Sequence, residues 1–375
     1  MRIGFDGKRA ANNLTGLGNY SRSLIVQLAK LFPDNQYFVY APKQKKSKQI
    51  DTFLNTDGIE LKLPNKNSLS LIWRSFGIKS QLKKDNIVLY HGLSNEIPFG
   101  IQSTGIKSIV SIHDLIFLRY PNYYKAIDRF IYNFKTRYAA KNCDCIVAIS
   151  QKTKQDLIEF YNIKEEKIKV IYQSCDEAFK QNQSQEFKDS IKAKYTLPDK
   201  YVLNVGTIEP RKNLLLLINA LKDIDPTCKL VVVGRNQPYA DQVRAQIKSL
   251  NLSDRVIFLK DLPFIDLPAI YQMASVFVYP SFYEGFGIPV IEALYSGIPV
   301  VAAKGSCLEE AGGPESVYID PNDSSALAKA LNGILSDSIL QNKMKIAGLK
   351  YVQKFDSDLL AQQMIACYYA QLNKK

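Results

Sequence analysis

At 375 residues the chain is longer than one hydrophobic core usually organises, which predicts two domains of roughly 180 residues each. Apolar residues make up 46% and charged residues 23%, a balance that excludes a disordered chain, and no window approaches about 18 consecutive apolar residues, which excludes a spanning helix. The net charge of +13 is concentrated in residues 1–180, with 28 Lys/Arg against 16 Asp/Glu, whereas residues 181–375 hold 21 against 20. A basic first half predicts an anionic partner, such as a membrane surface, a phospholipid-linked acceptor or nucleic acid, against the simpler reading of a solvated basic surface.

Met1 leads directly into Ile3-Gly4-Phe5-Asp6 without a cationic leader or cleavage site, so a cytoplasmic chain without a secretory signal is expected. The cysteines at 143, 145, 175, 228, 307 and 367 are mostly scattered, and with two histidines they form no zinc-ligand spacing. Reduced core thiols, no metal and no cofactor are therefore expected.

In chain order, strands are predicted at 2–6, 36–40, 87–90, 107–112, 144–149 and 168–172, then at 201–205, 229–233, 255–259, 276–279, 299–302 and 317–319. Runs such as Leu230-Val231-Val232-Val233 are apolar throughout, as strands buried on both faces must be. Amphipathic helices are predicted between them, among others at 17–32, 122–141, 211–223 and 286–295. Alternating strand and helix implies an α/β fold of parallel sheets covered on both faces. The polar stretch 176–198 breaks the rhythm and reads as a linker with a short helix. The expected organisation is two Rossmann-like domains, 1–175 and 199–355, their sheets facing across a cleft, with a C-terminal helix at 356–375 packing back on the first domain.

The densest motif runs from Tyr279 to Val301. A strand ends at Pro280, a loop carries Glu284, Gly285, Phe286 and Gly287, and a helix begins near Ile288 and Pro289. Unpaired N–H groups at a helix start favour an anion, and the glycines admit a close approach to the backbone. Glu292, about one turn into the helix, is suited to accept hydrogen bonds from ribose hydroxyls, and Glu284 to touch a sugar. Gly206-Thr-Ile-Glu-Pro-Arg-Lys-Asn213 likewise follows a strand and opens a helix, with Arg211 and Lys212 as two adjacent cations. Gly16 and Gly18 precede the helix bearing Tyr20; His91 and the His113-Asp114 pair follow strands of the first half. For each of these a plain structural role competes with the functional one.

These segments, with Thr15-Gly-Leu-Gly-Asn-Tyr20, Ser111-Ile-His-Asp-Leu115 and Ala148-Ile-Ser150, resemble the retaining glycosyltransferases of family 4, which have the GT-B fold; the resemblance covers most of the chain. It implies a metal-independent hexosyltransferase in which Arg211 and Lys212 neutralise the leaving nucleoside diphosphate. It implies catalytic roles for His113 and Glu284 beside the donor sugar. Donor contacts follow for Gly16, Gly18, Gly206, Arg235, Gly285, Phe286, Gly287, Ile288 and Glu292. His91 and Asp114 fall on the acceptor side. Lys260 stands where a small residue often lies in the family, which leaves the base unassigned.

The Glu-Pro-Arg-Lys-Asn run looks like family mannosyltransferases, so GDP-mannose is the expected donor, with UDP-sugars as the alternative. A sugar-nucleotide epimerase or phosphorylase on the same fold, and a non-catalytic basic binding protein, are the rivals. A glycan or polyprenyl-diphosphate-linked saccharide in cell-surface polysaccharide synthesis is the expected acceptor, and nucleic acid is not an expected partner. Helix 122–141 and residues 69–84, among them Leu71, Ile72, Trp73 and Phe76, mix aromatic and basic side chains. Core packing competes there with peripheral contact at the inner face of an anionic membrane.

Overall fold

The computed structural model describes residues 1–64, 72–235 and 237–374; Leu71 lies outside the described residues. The chain divides into two units, Met1–Ser174 with Asp356–Lys375, and Cys175–Phe355.

The first unit is built on a parallel sheet of β1 (Arg2–Asp6), β2 (Gln36–Tyr40), β3 (Ile59–Lys62), β4 (Leu89–Gly92), β5 (Lys107–Ile112), β6 (Cys145–Ala148) and β7 (Ile168–Val170), in the order β3-β2-β1-β4-β5-β6-β7. β3 is not among the predicted strands. Its Ile-Glu-Leu-Lys sequence is short, partly exposed and at the sheet edge, so it lacks the continuous apolar signal of the central strands. Apolar side chains pack on both faces of the sheet, Ile3 and Phe5 towards one core and Phe38, Val110 and Ile146 towards the other.

Two helices of this unit carry residues of functional interest. The first, α1 (Gly16–Leu31), follows β1; the second, α2 (Ala126–Asn142), follows β5. The final helix of the chain, Ser357–Leu372, places Leu360, Met364, Ile365 and Tyr368 in the same core as Ile3 and Phe5. Its Tyr368 hydroxyl lies 2.6 Å from His91 Nδ1, and His91 Nε2 lies 2.9 Å from Ser111 Oγ, which in turn meets the Tyr20 hydroxyl at 2.9 Å. This buried polar chain ties the C-terminal helix to β4, β5 and α1. Tyr368→Phe leaves the His91 Nδ1 without its partner and is expected to cost ~1–3 kcal/mol. Urea denaturation of the full chain measures it; a change below a few tenths would mean the hydroxyl contributes nothing.

The second unit repeats the plan with β8 (Tyr201–Val205), β9 (Lys229–Val233), β10 (Val256–Leu259), β11 (Val276–Tyr279), β12 (Val300–Ala303) and β13 (Val317–Ile319), all parallel, in the order β10-β9-β8-β11-β12-β13. Residues 176–198 are not a free connector. They carry α3 (Gln185–Tyr195), and Lys194 and the Tyr195 hydroxyl both bond Asp266 Oδ2, at 2.7 and 2.6 Å, within the second unit. Helices α4 (Leu214–Leu221), α5 (Leu267–Met273) and α6 (Ile288–Tyr295) follow β8, β10 and β11.

In both sheets the connections diverge on either side of one strand pair, β1/β4 in the first and β8/β11 in the second. Loops leaving such a pair splay apart and open a crevice at the carboxyl ends of the strands.

Candidate active site

The crevice of the second sheet is formed by the loops after β8 and β11. Beyond Val205 the chain turns at Gly206, whose φ is +151°, and passes Gly234 at the end of β9 so closely that a Cβ there would meet the Gly206 carbonyl oxygen at 1.8 Å. A 3-10 turn at Pro210–Lys212 then ends at Asn213, with φ +56°, a conformation asparagine tolerates. The Asn213 amide donates to the carbonyls of Pro280 and Pro321, at 3.2 and 2.7 Å, and Phe282 N donates to Arg211 O at 2.9 Å. Backbone and side chain thus stitch the two loops together.

Arg211 and Lys212 converge on Glu284. Arg211 Nη1 lies 2.8 Å from Glu284 Oε2 and donates to Tyr283 O at 2.6 Å, while Nη2 reaches Glu209 Oε1 at 2.6 Å. Lys212 Nζ reaches Glu284 Oε1 at 2.5 Å, donates to the Tyr279 hydroxyl and sits 4.7 Å above the Tyr279 ring centre. Glu284 is 9% exposed. Burial alone would raise its pKa, but the Lys212 and Arg211 cations overcome that and hold the carboxyl down at about 2. Burial, with the Arg211 charge alongside, pushes the Lys212 ammonium down. Arg211, Lys212, Glu284 and Glu209 thus form one ion-pair cluster at the strand-end crevice.

Gly287 begins α6 with φ +123°, where a Cβ would meet Leu308 Cδ2 at 2.9 Å. Ile288 is half-buried in the first turn, and Gly285 precedes on the loop. The Phe286 side chain is turned into the core, 5.3 Å from Phe355, so only its backbone is available to a ligand. Glu292 is half-buried and accepts a hydrogen bond on Oε2 from the Tyr271 hydroxyl at 2.8 Å. Burial raises its pKa to about 7. Arg235 is exposed at the end of β9, and its carbonyl accepts from Ile208 N. Glu209, Tyr279 and Tyr271 are not singled out by the sequence. Only the fold reveals that the tyrosine hydroxyls reach Lys212 and Glu292.

The first unit treats its predicted residues less uniformly. His91 is fully buried with both ring nitrogens engaged, and desolvation pushes its pKa down to about 3. Both nitrogens are thus engaged in core contacts, with Tyr368 and Ser111. His113 is also buried: Nε2 lies 2.8 Å from Leu93 O and must donate to it, so Nδ1 accepts from the Gln173 amide at 2.8 Å. Burial holds it neutral, with a pKa of about 4. Neither nitrogen is open to exchange a proton with a substrate, which leaves the ring edge and the backbone carbonyl for any contact with a sugar. Asp114 Oδ1 accepts from Ile116 N at 3.1 Å, a local turn contact. Gly18 is required by packing, since a Cβ would meet Asn13 O at 1.9 Å, whereas Gly16 faces open space. Among the described residues no group of three or more His, Cys, Asp or Glu could hold a metal ion, and all six cysteines are buried free thiols.

The chain resembles known glycosyltransferases along most of its length. Residues 14–179 match the family described as Glycosyltransferase Family 4, and residues 186–351 match Glycosyl transferases group 1. The chain is 26% identical to O-antigen chain mannosyltransferase B of Escherichia coli, over 98% of this chain and 99% of that protein. It is 29% identical to O-antigen chain mannosyltransferase RfbU of Salmonella typhimurium, over 68% and 67% of the two chains. Among solved structures, sucrose-phosphate synthase from Thermosynechococcus elongatus superimposes with a TM-score of 0.80 at 21% identity, covering the whole of both chains. Anabaena Alr3699/HepE in complex with UDP-glucose gives 0.77 at 19% identity, covering 99% of this chain and all of that one. The paired parallel-sheet units have the GT-B fold of these structures.

Proposed function

We propose how this chain, which belongs to glycosyltransferase family 4 and transfers a sugar from a nucleotide-sugar donor to an acceptor, distributes that task among its residues. The convergence of Arg211 and Lys212 on Glu284 at the β8/β11 crevice carries the proposal. The two cations receive the donor diphosphate, Glu284 faces the sugar, and Glu292 accepts hydrogen bonds from the ribose. The backbones of Gly206 and of 285–288 line the same ligand, and Arg235 reaches it from β9. Gly16, Gly18 and His113 are the contributions the resemblance assigns to the first unit; for His113 the contact is made by the ring edge or the carbonyl.

The reaction retains configuration. The acceptor oxygen bonds to the anomeric carbon on the face from which the diphosphate departs, and the departing diphosphate oxygen takes the acceptor proton. Arg211 and Lys212 stabilise the charge that develops as that bond breaks, with no metal required.

The donor reading shifts from GDP-mannose. The solved neighbour Anabaena Alr3699/HepE is described in complex with UDP, with UDP and glucose, and with UDP-glucose, which favours a UDP-sugar. Mannose is the second reading, supported by the names of the sequence relatives. A thermal-shift panel of GDP- and UDP-sugars, repeated on Glu292→Ala, separates the two. One nucleoside class is expected to raise Tm in the native chain and not in the variant. No shift with any nucleotide or nucleotide-sugar would sink the assignment. Conversion of donor without acceptor, or release of sugar phosphate, would identify an epimerase or phosphorylase instead.

The acceptor is a saccharide carried on an anionic lipid, and the surface of α2 supports a peripheral position at the membrane. Core packing is the competing expectation for this helix, but only the small residues Thr136, Ala139 and Ala140 are buried, while Phe130 is 69% and Phe134 57% exposed. Phe134 packs at 5.8 Å on Phe99, which stacks on Phe76 at 5.1 Å, so the apolar patch continues onto the neighbouring π-helix Trp73–Gly77. Lys125 caps α2 and Arg129 lies in its first turn, while Lys79 and Lys83 lie in the helix Ile78–Lys84 that continues from Gly77. No helix among the described residues is long and apolar enough to cross a membrane. Such a surface is suited to lie on anionic lipid. The double variant Phe130→Ser/Phe134→Ser is expected to weaken co-sedimentation with phosphatidylglycerol vesicles by about tenfold or more, and salt is expected to weaken the native chain's binding. Equal binding by the variant, or none by the native chain at low salt, would remove the membrane from the proposal.

A further inference from the structure

His113 is held from several sides, all by residues of the first unit. Its N–H donates to Asn95 Oδ1 at 2.9 Å, and its carbonyl accepts from the Thr153 hydroxyl at 3.3 Å. The Tyr20 ring lies at 88° to the imidazole, with centres 4.8 Å apart. Nε2 meets Leu93 O, and Nδ1 meets the amide of Gln173, which is itself only 7% exposed. Beside Gln173 lies a cavity of about 40 Å³, lined among others by Tyr20, Leu24, Ser174, Ser357 and Met364. Close packing therefore does not pin the amide against the ring on that side; the hydrogen bond does. Gln173 also precedes Ser174, the last residue before the chain leaves this unit, and Ser174 Oγ lies 3.1 Å from Ser357 Oγ, just after the chain returns.

Leu93 O can only accept, so the ring hydrogen sits on Nε2 and the lone pair on Nδ1. An amide serves that lone pair without supplying charge. A carboxylate in its place would do the opposite and draw a second proton onto the ring. The other titratable neighbours are Tyr20 on α1, His91 on β4 and Arg9 on the loop after β1, and the Arg9 charge also disfavours a proton on His113. Asp114, next in the chain, is turned to Ile116 N. As a diphosphate departs, the anomeric carbon becomes electron-poor, and a cation beside it would oppose that change.

We propose that Gln173 is a positioning residue for sugar transfer: it holds His113 uncharged, with Nε2–H directed to Leu93, so that no positive charge stands beside the sugar as the anomeric bond breaks. The positioning stands on the first unit alone; its effect on rate rests on the sugar-transfer reading.

The test observes the ring and the rate separately in the full chain, with its two histidines labelled with nitrogen-15. Gln173→Met keeps the length and removes the donor; Gln173→Glu keeps the shape and reverses the hydrogen-bond role. His113→Ala assigns the imidazole signals, and Tm controls for folding. Native His113 is expected as the neutral Nε2–H form down to about pH 5. Its Nδ1 signal should move to that of an unbonded nitrogen in the methionine variant, and both nitrogens should be protonated near pH 6 in the glutamate variant. At saturating donor, which sets aside the effect of Glu292 on affinity, kcat of the glutamate variant relative to native is expected to fall about tenfold from pH 8.5 to pH 6. The methionine variant should show a smaller loss that does not change with pH. Native His113 with its hydrogen on Nδ1, or a glutamate variant whose ring stays neutral at pH 6, overturns the positioning. If the buried glutamate prevents folding, an unmoved Nδ1 signal in the methionine variant overturns it equally. A ring that gains charge without a pH-dependent loss of rate overturns the effect on transfer. If the native chain transfers no sugar, the nitrogen signals still decide the positioning, and it is the sugar-transfer reading that fails.

Discussion

Lys212→Ala is expected to lower kcat/KM for sugar transfer by ~10²–10³-fold, the range seen when one preorganised donor to a developing anion is removed. Lys212 Nζ and the Arg211 guanidinium are held by the same carboxylate, so the two cations form one electrostatic unit. Arg211→Ala should therefore cost a similar factor, and the double variant less than the product of the two. Steady-state rates over a donor titration decide this: a loss below about tenfold in a chain of native Tm would remove the diphosphate from these residues.

Glu284 exposes the other side of the same arrangement. Glu284→Gln leaves Lys212 without a carboxylate and Arg211 with Glu209 alone, which is expected to cost ~3 kcal/mol of stability, as for other broken buried pairs. The sign with pH comes from its depressed pKa of about 2. The native pairing is fully present above the unfolded carboxyl value of ~4.3 and is lost as pH falls towards the folded value. The native chain should thus lose this increment between those limits, and the glutamine variant, already without it, should show a shallower acid limb in denaturation. A parallel acid limb would mean the charge on Glu284 does not stabilise the fold.

How far such a site is legible in sequence depends on how its residues are brought together. The Arg211-Lys212 pair and the Glu284-to-Glu292 segment each announce themselves locally, as charge beside glycine and proline at a strand-to-helix passage. Their mutual contact does not, because it arises from β8 and β11 lying side by side in the sheet. The twelve predicted strands are all present, since burial on both faces writes a continuous apolar run into each; the edge strand β3 escapes for want of one. The histidines show the opposite limit. Their strand-end positions are the same in sequence terms as those of true ligands, and only the Tyr368, Ser111, Leu93 and Gln173 contacts reveal that their nitrogens are occupied. Helix α2 reads as amphipathic either way, because periodicity does not say that the small-residue stripe is the one that faces inward.

Nucleotide affinity is expected to rise with pH through about 7, governed by Glu292, whose carboxyl burial raises to that value. Its Oε2 is bonded to Tyr271, and Oε1 has no hydrogen bond among the described residues, so a ribose hydroxyl would donate there. That bond is strong only to the ionised carboxylate, with charge-assisted bonds contributing ~1.5–3 kcal/mol; linkage through a pKa of about 7 limits the effect, so the Kd measured near pH 5.5 should exceed that near pH 8 by about 10- to 30-fold. Stability runs the other way. With the folded pKa raised above the unfolded ~4.3, ionising Glu292 costs stability progressively between those values, and fully above pH 7. Because the side chain is only half-buried, the cost is ~2 kcal/mol rather than the full shift would suggest. Glu292→Gln removes that cost while keeping an oxygen for Tyr271. It should denature later than the native chain at pH 8, match it near pH 4.5, and bind nucleotide weakly with little pH dependence. A variant that binds as tightly as the native chain across this range would take the ribose away from Glu292; one that binds weakly yet gains no stability at pH 8 would mean that burial does not hold the carboxylate at a cost. Retaining an ionisable, half-buried carboxyl against its own desolvation, where glutamine would be more stable, is the mark of a residue kept for its ligand.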